Sequence, residues 1–514
     1  MRPLVGFADA SRIDTATKAR YGLSDDALME AAAIGMASAL ESDDSLRSAM
    51  DASPVPVAAI CGGGNNGGDA LAVLRRLAFS GRTGLVAVAA DRMGDCASRR
   101  LEEARRSGVT VLSPDDARAA SAAAEAGVVL DGASGVGFRG PMRPAFHALA
   151  ALVARARGPV VAIDVPSGIG AMRSADEDPE APVAASATLC VDPLKAELYY
   201  PGFRRYAGRV IPVTGVFNRS AGLGSNVSLL DAGDLDAFLP GLDPDCHKGD
   251  RGALGVFAGA IGSTGAAVLC ARSASAAGAG SVTLLVRDAL VPILASLVVS
   301  QMVRPVSDPG SRRYSAVVAG PGWGVDDANA SALDGLWDAA IPLALDADAL
   351  RLLAASGKGR RCSPLVLTPH PGEFASLAAI AMGADPEDPS ASAAASRRAK
   401  YDTAAVLAET AERFGAVIAL KGSVSWIGDP DGRIAVWDGR EPALATAGSG
   451  DVLAGLVGGF LARGASAWDA AVSAVIAHGM AGRAASVRGF FEAESLIGEA
   501  ARISYGRKPD GNQG

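Results

Sequence analysis

Short apolar runs separated by Ala-rich stretches of helical spacing recur along this chain, and that alternation constrains its fold more than any single motif. The runs fall at residues 55–60, 84–90, 127–130, 160–163 and 188–191, and again at 254–258, 281–286, 316–319, 344–346 and 417–420. Parallel strands can be joined only by a long crossover, usually a helix, so the alternation predicts parallel sheets clad in helices. The composition fits such layers: 49% of residues are hydrophobic but only 5% aromatic, so the core must be built from small aliphatic side chains.

At 514 residues the chain exceeds what one core supports, and two domains are expected. Between residues 218 and 248 the pattern gives way to a Gly-, Asp- and Pro-rich segment and then restarts. The first α/β domain is therefore assigned to residues 1–222 and the second to 228–506, with 507–514 as a disordered tail. Residues 173–182 and 382–396 read as surface insertions. A net charge of −8 without a basic block disfavours a nucleic-acid surface. No apolar run approaches the ~20 residues that span a bilayer. The six cysteines form no CxxC pair, which points to a reducing, cytoplasmic setting.

In the first half, the run at 55–60 leads into Cys61-Gly62-Gly63-Gly64-Asn65-Asn66-Gly67-Gly68-Asp69-Ala70 and then a helical stretch at 71–79. A strand, a glycine-rich loop and a helix start make an anion site, because backbone N–H groups and the helix dipole converge there. The spacing is not GxGxxG and lacks the Lys-Ser/Thr of a P-loop, which excludes an ordinary dinucleotide fold and a nucleoside triphosphatase. Asn65 and Asn66 add side-chain carbonyls suited to a monovalent cation or an amide. Two further strands end in carboxylates, Asp131 in Asp131-Gly132-Ala133-Ser134-Gly135-Val136-Gly137-Phe138-Arg139-Gly140 and Asp164 in Asp164-Val165-Pro166-Ser167-Gly168. Open α/β sheets bind ligands at such strand ends, so Asp131 and Asp164 are candidate catalytic groups.

In the second half, Thr446-Ala447-Gly448-Ser449-Gly450-Asp451 precedes a helical pattern. Gly448 and Gly450 let backbone N–H groups turn toward a phosphoryl group, and Asp451 is placed to take a proton from an attacking hydroxyl. The same residues would also serve as a plain helix cap. Around this segment stand His247-Lys248-Gly249, the small-residue run Gly262 to Ala267, Gly320-Pro321-Gly322-Trp323-Gly324, Asp346-Ala347-Asp348, Thr368-Pro369-His370-Pro371-Gly372-Glu373 and Lys421-Gly422-Ser423. Of 48 basic residues only seven are lysine, yet Lys248 and Lys421 sit in Gly-flanked motifs, as expected where a compact charge is wanted. His370, between two prolines, is a candidate substrate contact.

The combination GGGNNGGDA, DGASGVGFRG and DVPSG, with the later Lys195, resembles the NAD(P)H-hydrate epimerase family over roughly residues 8 to 220. HKG, GPGWG, DADAL, TPHPGEF, LKGS and AGSGD together resemble the ribokinase-like ADP-dependent NAD(P)H-hydrate dehydratases over roughly residues 228 to 505. The resemblance implies a Rossmann-like three-layer sandwich followed by a ribokinase-like α/β domain. It implies hydrate contacts at Asn65, Asn66, Gly67, Gly68, Asp69, Gly135, Val136, Gly137, Phe138, Arg139, Gly140, Pro141 and Asp164, and potassium ligands at Asn66, Asp131 and Ser167. In the second domain it implies a hydrate pocket at Ala266, Gly322, His370 and Asp451. The adenine nucleotide would lie along Lys421, Gly422, Ser423, Val424 and Ser425 and the cradle Gly448, Ser449 and Gly450, with ADP as co-substrate and Mg²⁺ on its phosphates. Both hydrates, NADHX and NADPHX, would be substrates, and a homo-oligomer is expected. The chain departs from the family pattern at Ala70, where glycine is frequent, at Gly132-Ala133, where bulkier residues are usual, at Ala32-Ala33, and at Gly439 to Ala443. Two other readings remain at this level: a small-alcohol kinase using the same cradle, and a first domain that binds a nucleotide without catalysis.

Overall fold

The computed structural model describes residues 1–138, 140–170, 178–217, 225–239, 241–310, 313–386 and 388–505. Arg139, the tail at 507–514 and parts of the expected insertion at 173–182 and boundary at 218–248 lie outside them. The chain divides into two compact units, Pro3–Ser225, and Asn226 onward together with Met1–Arg2.

Unit Pro3–Ser225 holds a seven-stranded, all-parallel sheet in the spatial order Thr110–Leu112, Val86–Ala89, Val57–Cys61, Val128–Gly132, Val160–Ile163, Ala187–Val191, Arg209–Val213. Numbered along the chain this is 3-2-1-4-5-6-7, so the order reverses between Val57–Cys61 and Val128–Gly132. The layers follow from the period-two pleat. Val57, Ala59 and Cys61 join the core under helices Asp25–Ser42 and Asn65–Phe79, beside Met36, Leu40, Leu71 and Leu74. Ala58 and Ile60 face the other way, onto Ala119 and Ala123 of helix Ala117–Glu125 and Leu149 and Val153 of helix Pro144–Val153. A short parallel ladder, Leu4↔Leu194 and Val5↔Lys195, seats Lys195 in the same unit.

The second unit repeats this order. Met302–Pro305, Ser281–Val286, Ala253–Phe257, Ala316–Ala319, Leu343–Leu345, Leu365–Leu367 and Val417–Leu420 are parallel neighbours, again 3-2-1-4-5-6-7. The sheet then continues through antiparallel strands Ser425–Gly428 and Ile434–Trp437, and Val227–Leu229 adds in parallel to the latter. Helices Thr264–Ala276, Ser449–Ala462 and Ala467–Ser486 bury one face, with Cys270, Val457 and Val472 in a common core. Helix Ser449–Ala462 lies unusually close in. A Cβ on Gly455 would fall 2.0 Å from Ser273 Oγ, and one on Gly458 would fall 2.2 Å from Val318 Cγ2.

The expected strands at 160–163, 281–286, 316–319 and 417–420 coincide with observed ones, and the others shift by one or two residues at an end. One boundary matters chemically. The helix expected at 71–79 begins at Asn65, so Asn65 to Asp69 form its first turns and not a loop. Among the described residues no helix is long and apolar enough to cross a membrane, and the six cysteines are free thiols.

Candidate active sites

The first site sits at the strand-order reversal, where open α/β sheets leave a crevice. Strand Val57–Cys61 runs into Gly62 and Gly63, whose backbones pass so near Ala133 and Arg92 that a Cβ would come within 2.0 and 2.2 Å of their carbonyl oxygens. Gly64 caps helix Asn65–Phe79 without a side-chain bond, leaving the first-turn amides for a ligand. A cavity of about 910 Å³ opens above, lined by Asn65, Asn66, Asp69, Gly135, Val136, Gly137, Phe138, Asp164 and Lys195 among others.

Beneath the cavity is a tight polar knot. Asn66 Nδ2 donates to the Ser134 carbonyl at 2.8 Å, and the Ser134 and Ser167 backbone amides donate to Ser167 Oγ at 2.7 Å and Asp131 Oδ2 at 2.8 Å. The Ala133 amide reaches Asp131 Oδ1 at 3.3 Å. Asp131 is fully buried, and burial pushes its carboxyl up to about 6. Asp131 and Ser167 do not line the cavity. Asp131, expected as a catalytic group, lies off the cavity, and each of its oxygens accepts a backbone amide, so it ties two loops together.

Asp164 stands differently. It ends strand Val160–Ile163 with φ 63, a left-handed backbone that a non-glycine residue rarely adopts. Its Oδ1 accepts from the Val191 amide at 3.0 Å and from Lys195 Nζ at 2.6 Å. Lys195, 3% exposed, also donates to the Val191 carbonyl at 2.7 Å. Burial works against the Lys195 ammonium, but the surrounding acids, Asp164 first among them, hold its pKa above the usual lysine value. Of the other expected contacts, Gly67, Gly68, Gly140 and Pro141 do not line the cavity, and Gly68 backs onto Met29. Ala70 and Gly132 face each other: a Cβ on Gly132 would lie 2.8 Å from the Ala70 Cβ.

The second site is also at strand ends. Gly322, at φ 55, lies against helix Thr264–Ala276, where its Cβ would be 3.0 Å from the Ala266 Cβ, and Ser263 Oγ donates to its carbonyl at 2.8 Å. Asp346, 2% exposed, follows strand Leu343–Leu345, and its Oδ1 accepts from Thr368 Oγ1 at 2.8 Å and Lys421 Nζ at 2.7 Å. His370 caps helix Pro371–Ala381, its Nδ1 accepting from the Gly372 amide at 3.0 Å and the Glu373 amide at 3.4 Å, while Glu373 accepts from the His370 amide at 2.9 Å. Nδ1 is thus committed and Nε2 lies 3.3 Å from Glu373 Oε1, which leaves the ring face for a ligand.

Gly448, at φ 88, is the N-cap of helix Ser449–Ala462, and Asp451 is that helix's third residue, making no capping bond. The plain-cap reading of Asp451 therefore fails. Burial, then Asp346, raises its carboxyl to about 6. A Cβ on Gly450 would lie 3.4 Å from Lys421 Nζ, so the cradle and the lysine adjoin. Gly422 and Ser423 are exposed and Ser425 half-buried, but Val424 is 3% exposed and belongs to the core. Lys248 is exposed, and His247 accepts from the Gly249 amide at 3.1 Å in a local turn.

Two groups escaped sequence reasoning. Lys195 was carried only by resemblance, although the scarcity of lysine marks it as it does Lys421. His478, half-buried on helix Ala467–Ser486, meets the Ser449 carbonyl at 2.9 Å, and loss of solvent around its ring lowers its pKa to about 4, so it is neutral and donates. Nothing in its sequence surroundings marks it.

A family model described as NAD(P)H-hydrate dehydratase matches residues 254–499, and one described as YjeF-related protein N-terminus matches residues 25–196. The bifunctional NAD(P)H-hydrate repair enzyme Nnr of Mycobacterium tuberculosis is 34% identical over 452 residues, 87% of each chain. That of Gloeobacter violaceus is 33% identical over 512 residues, 93% of this chain and 92% of the relative. Among solved structures, an ADP/ATP-dependent NAD(P)H-hydrate dehydratase from Bacillus subtilis aligns at 26% identity over 54% of this chain and 98% of its own, with a TM-score of 0.46. With matches of this identity and coverage running through both units, the chain belongs to the bifunctional NAD(P)H-hydrate repair enzymes.

Proposed function

We propose that unit Pro3–Ser225 interconverts the R and S forms of hydrated NADH and NADPH, and that the second unit uses ADP to dehydrate the S form, giving NAD(P)H, AMP and phosphate. The observation that carries the second activity is Asp451, set in the first turn of a helix capped by Gly448 and adjoining Lys421. A ring hydroxyl is a poor leaving group at neutral pH, and phosphorylation makes it a good one. Asp451 takes the hydroxyl proton as its oxygen attacks the terminal phosphorus of ADP, and AMP leaves with the bridging electron pair. Phosphate then departs with the C–O pair, and loss of a proton from the neighbouring ring carbon yields NAD(P)H. The amides of Ser449 and Gly450 hold the phosphoryl charge, and Lys421 leaves Asp346 to meet it. Gly322 and Ala266 give the hydrate a flat wall, and His370 presents its ring face.

Among the described residues no three His, Cys, Asp or Glu side chains gather at one point, so Mg²⁺ is assigned to the phosphate oxygens of the nucleotide, whose charge it would offset. Potassium fits the first unit. Asp131 is a buried carboxylate, Asn66 spends its Nδ2 on the Ser134 carbonyl and keeps Oδ1, and Ser167 Oγ donates to that same carbonyl. These three residues would hold the ion, which would offset the Asp131 charge and stiffen the loops around the cavity. Asp164 is the group that exchanges a proton with the hydrate in that cavity.

A small-alcohol kinase on the same cradle is not favoured, given family membership across both units. The test is to incubate the purified chain with mixed R and S hydrates and follow reduced-nicotinamide absorbance. Conversion of both epimers is expected with ADP and none without it. Conversion that stops at the S fraction would remove the epimerase assignment.

A further inference from the structure

We propose that Asp69 is the proton donor of the epimerase site, working opposite Asp164, which Lys195 and the Val191 amide keep as the charged partner. The inference rests on the epimerase reading above and gives that site its second reacting group.

The two carboxyl groups line one cavity but have opposite surroundings. Asp164 receives two donors on Oδ1, a buried ammonium and a backbone N–H, and its Oδ2 receives none from the described residues. Asp69 stands on the second turn of helix Asn65–Phe79, half-buried at the cavity wall, and its carboxyl accepts no hydrogen bond from any described residue. The charged groups around it are Asp164, Lys195, Arg100 and Asp14. Burial, with Asp164 adding to it, raises the Asp69 carboxyl well above the usual range, which favours its protonated form. A carboxyl without a donor, across one cavity from a carboxyl gripped by an ammonium, makes an acid and base pair. The strained backbone of Asp164 fits such a site, since strain at a strand end persists where the surroundings enforce it.

The hydroxyl of the hydrated ring is on the carbon beside the ring nitrogen. Asp69 gives its proton to that oxygen, the C–O bond breaks, and its electron pair leaves with water. The nitrogen lone pair forms a C=N bond, and the resulting positive ring faces the Asp164 carboxylate. Water then adds to the other face of the same carbon, the C=N pair returns to nitrogen, and the surplus proton goes to Asp164. The ring has inverted with no net change of atoms. Asp69 is left charged and Asp164 protonated, so the next inversion runs in reverse with the roles exchanged, or the two protons reset through solvent.

The experiment follows inversion of isolated S hydrate by proton NMR between about pH 5 and 10, using full-length wild type, Asp69→Asn and Asp69→Glu. Asp69→Asn should lower kcat by about 100-fold or more, change KM little and abolish the alkaline limb of the profile, while ADP-dependent dehydration is unaltered. Asp69→Glu should restore part of the rate together with the limb. In oxygen-18 water each inversion should bring in one solvent oxygen. A wild type that does not invert the ring would overturn the epimerase reading itself. A wild type that inverts it, with Asp69→Asn keeping the rate and the alkaline limb, would overturn the role of Asp69 alone. Inversion without oxygen uptake would do the same, as would an Asp69→Glu chain as inactive as Asp69→Asn.

Discussion

In both units the fifth strand of a 3-2-1-4-5-6-7 sheet ends at an aspartate gripped by a lysine from a later segment: Asp164 by Lys195 at 2.6 Å, and Asp346 by Lys421 at 2.7 Å. The left-handed backbone recurs as well, at Asp164 itself with φ 63 and at Ala347, next to Asp346, with φ 47. The pairs then part company. The Asp164 side chain is 15% exposed and opens on the cavity, whereas that of Asp346 is 2% exposed and shares its Oδ1 with Thr368. In the second unit the sheet goes on into a hairpin, and a further helix brings Asp451 forward, so Asp346 becomes the acid behind the acid. On the roles proposed above, one sheet position would supply the reacting group when nothing stands before it and the supporting group when a later helix does.

The largest test of this division is Asp451→Asn. Dehydration should fall about 10²- to 10⁴-fold while epimerisation continues, measured on the same preparation. Equal losses in both would mean that the units do not divide the chemistry as drawn. Next comes Lys195→Met, which strands a carboxylate whose partner lies fully inside. Breaking such a pair typically costs about 3–5 kcal/mol, so calorimetry should show unit Pro3–Ser225 melting early. Lys421→Met strands Asp346, whose side chain is 2% exposed where that of Asp164 is 15%, so it should shift melting of its own unit more and also raise the KM for ADP. If the two substitutions destabilise alike, the pairs are equivalent after all. A smaller effect is expected with pH. Asp451 has its pKa raised to about 6, and a base works only when deprotonated, so dehydration should decline toward a tenfold loss per unit as pH falls below about 6. A rate flat to pH 5 would place the proton acceptor elsewhere.

The smallest expected effect concerns two departures from the family pattern that the structure joins into one exchange. Ala70 supplies the Cβ for which Gly132 leaves room. Ala70→Gly should cost about 1 kcal/mol through helix propensity, and Gly132→Ala about 1–3 kcal/mol through overpacking. The double substitution should cost less than the sum by more than ~0.5 kcal/mol, read from denaturant midpoints. Strict additivity would mean that the two positions are independent.

The ten apolar runs were legible because each is strand-length and followed by helical spacing. Of the strands missed, Val227–Leu229 lies inside a segment read as linker, and in Arg209–Val213 and Met302–Pro305 an arginine and a proline interrupt the apolar run. The first turns at Asn65 to Asp69 were missed for a different reason: two glycines and two asparagines oppose a helix locally, and tertiary contacts override them. In the site, the acids at strand ends could be read from sequence. The roles of Asp131 and Asp164 could not be separated, since both follow an apolar run and a glycine-rich stretch. Only the fold spends both oxygens of one on backbone amides and turns the other to the cavity. His478 was unreadable because its partner, the Ser449 carbonyl, lies 29 positions away.

Helix Ser449–Ala462 has four glycines among its fourteen residues. Each costs about 1 kcal/mol relative to alanine in an isolated helix, so this segment has little tendency to coil on its own. Its helicity is lent by the neighbours against which Gly455 and Gly458 press. The base at Asp451 and the amides of the cradle therefore come into register only once the second core has closed around them. A nascent or partly opened chain would have no means of spending ADP, and hydrogen exchange along this helix should reveal opening of the unit as a whole before any local fraying.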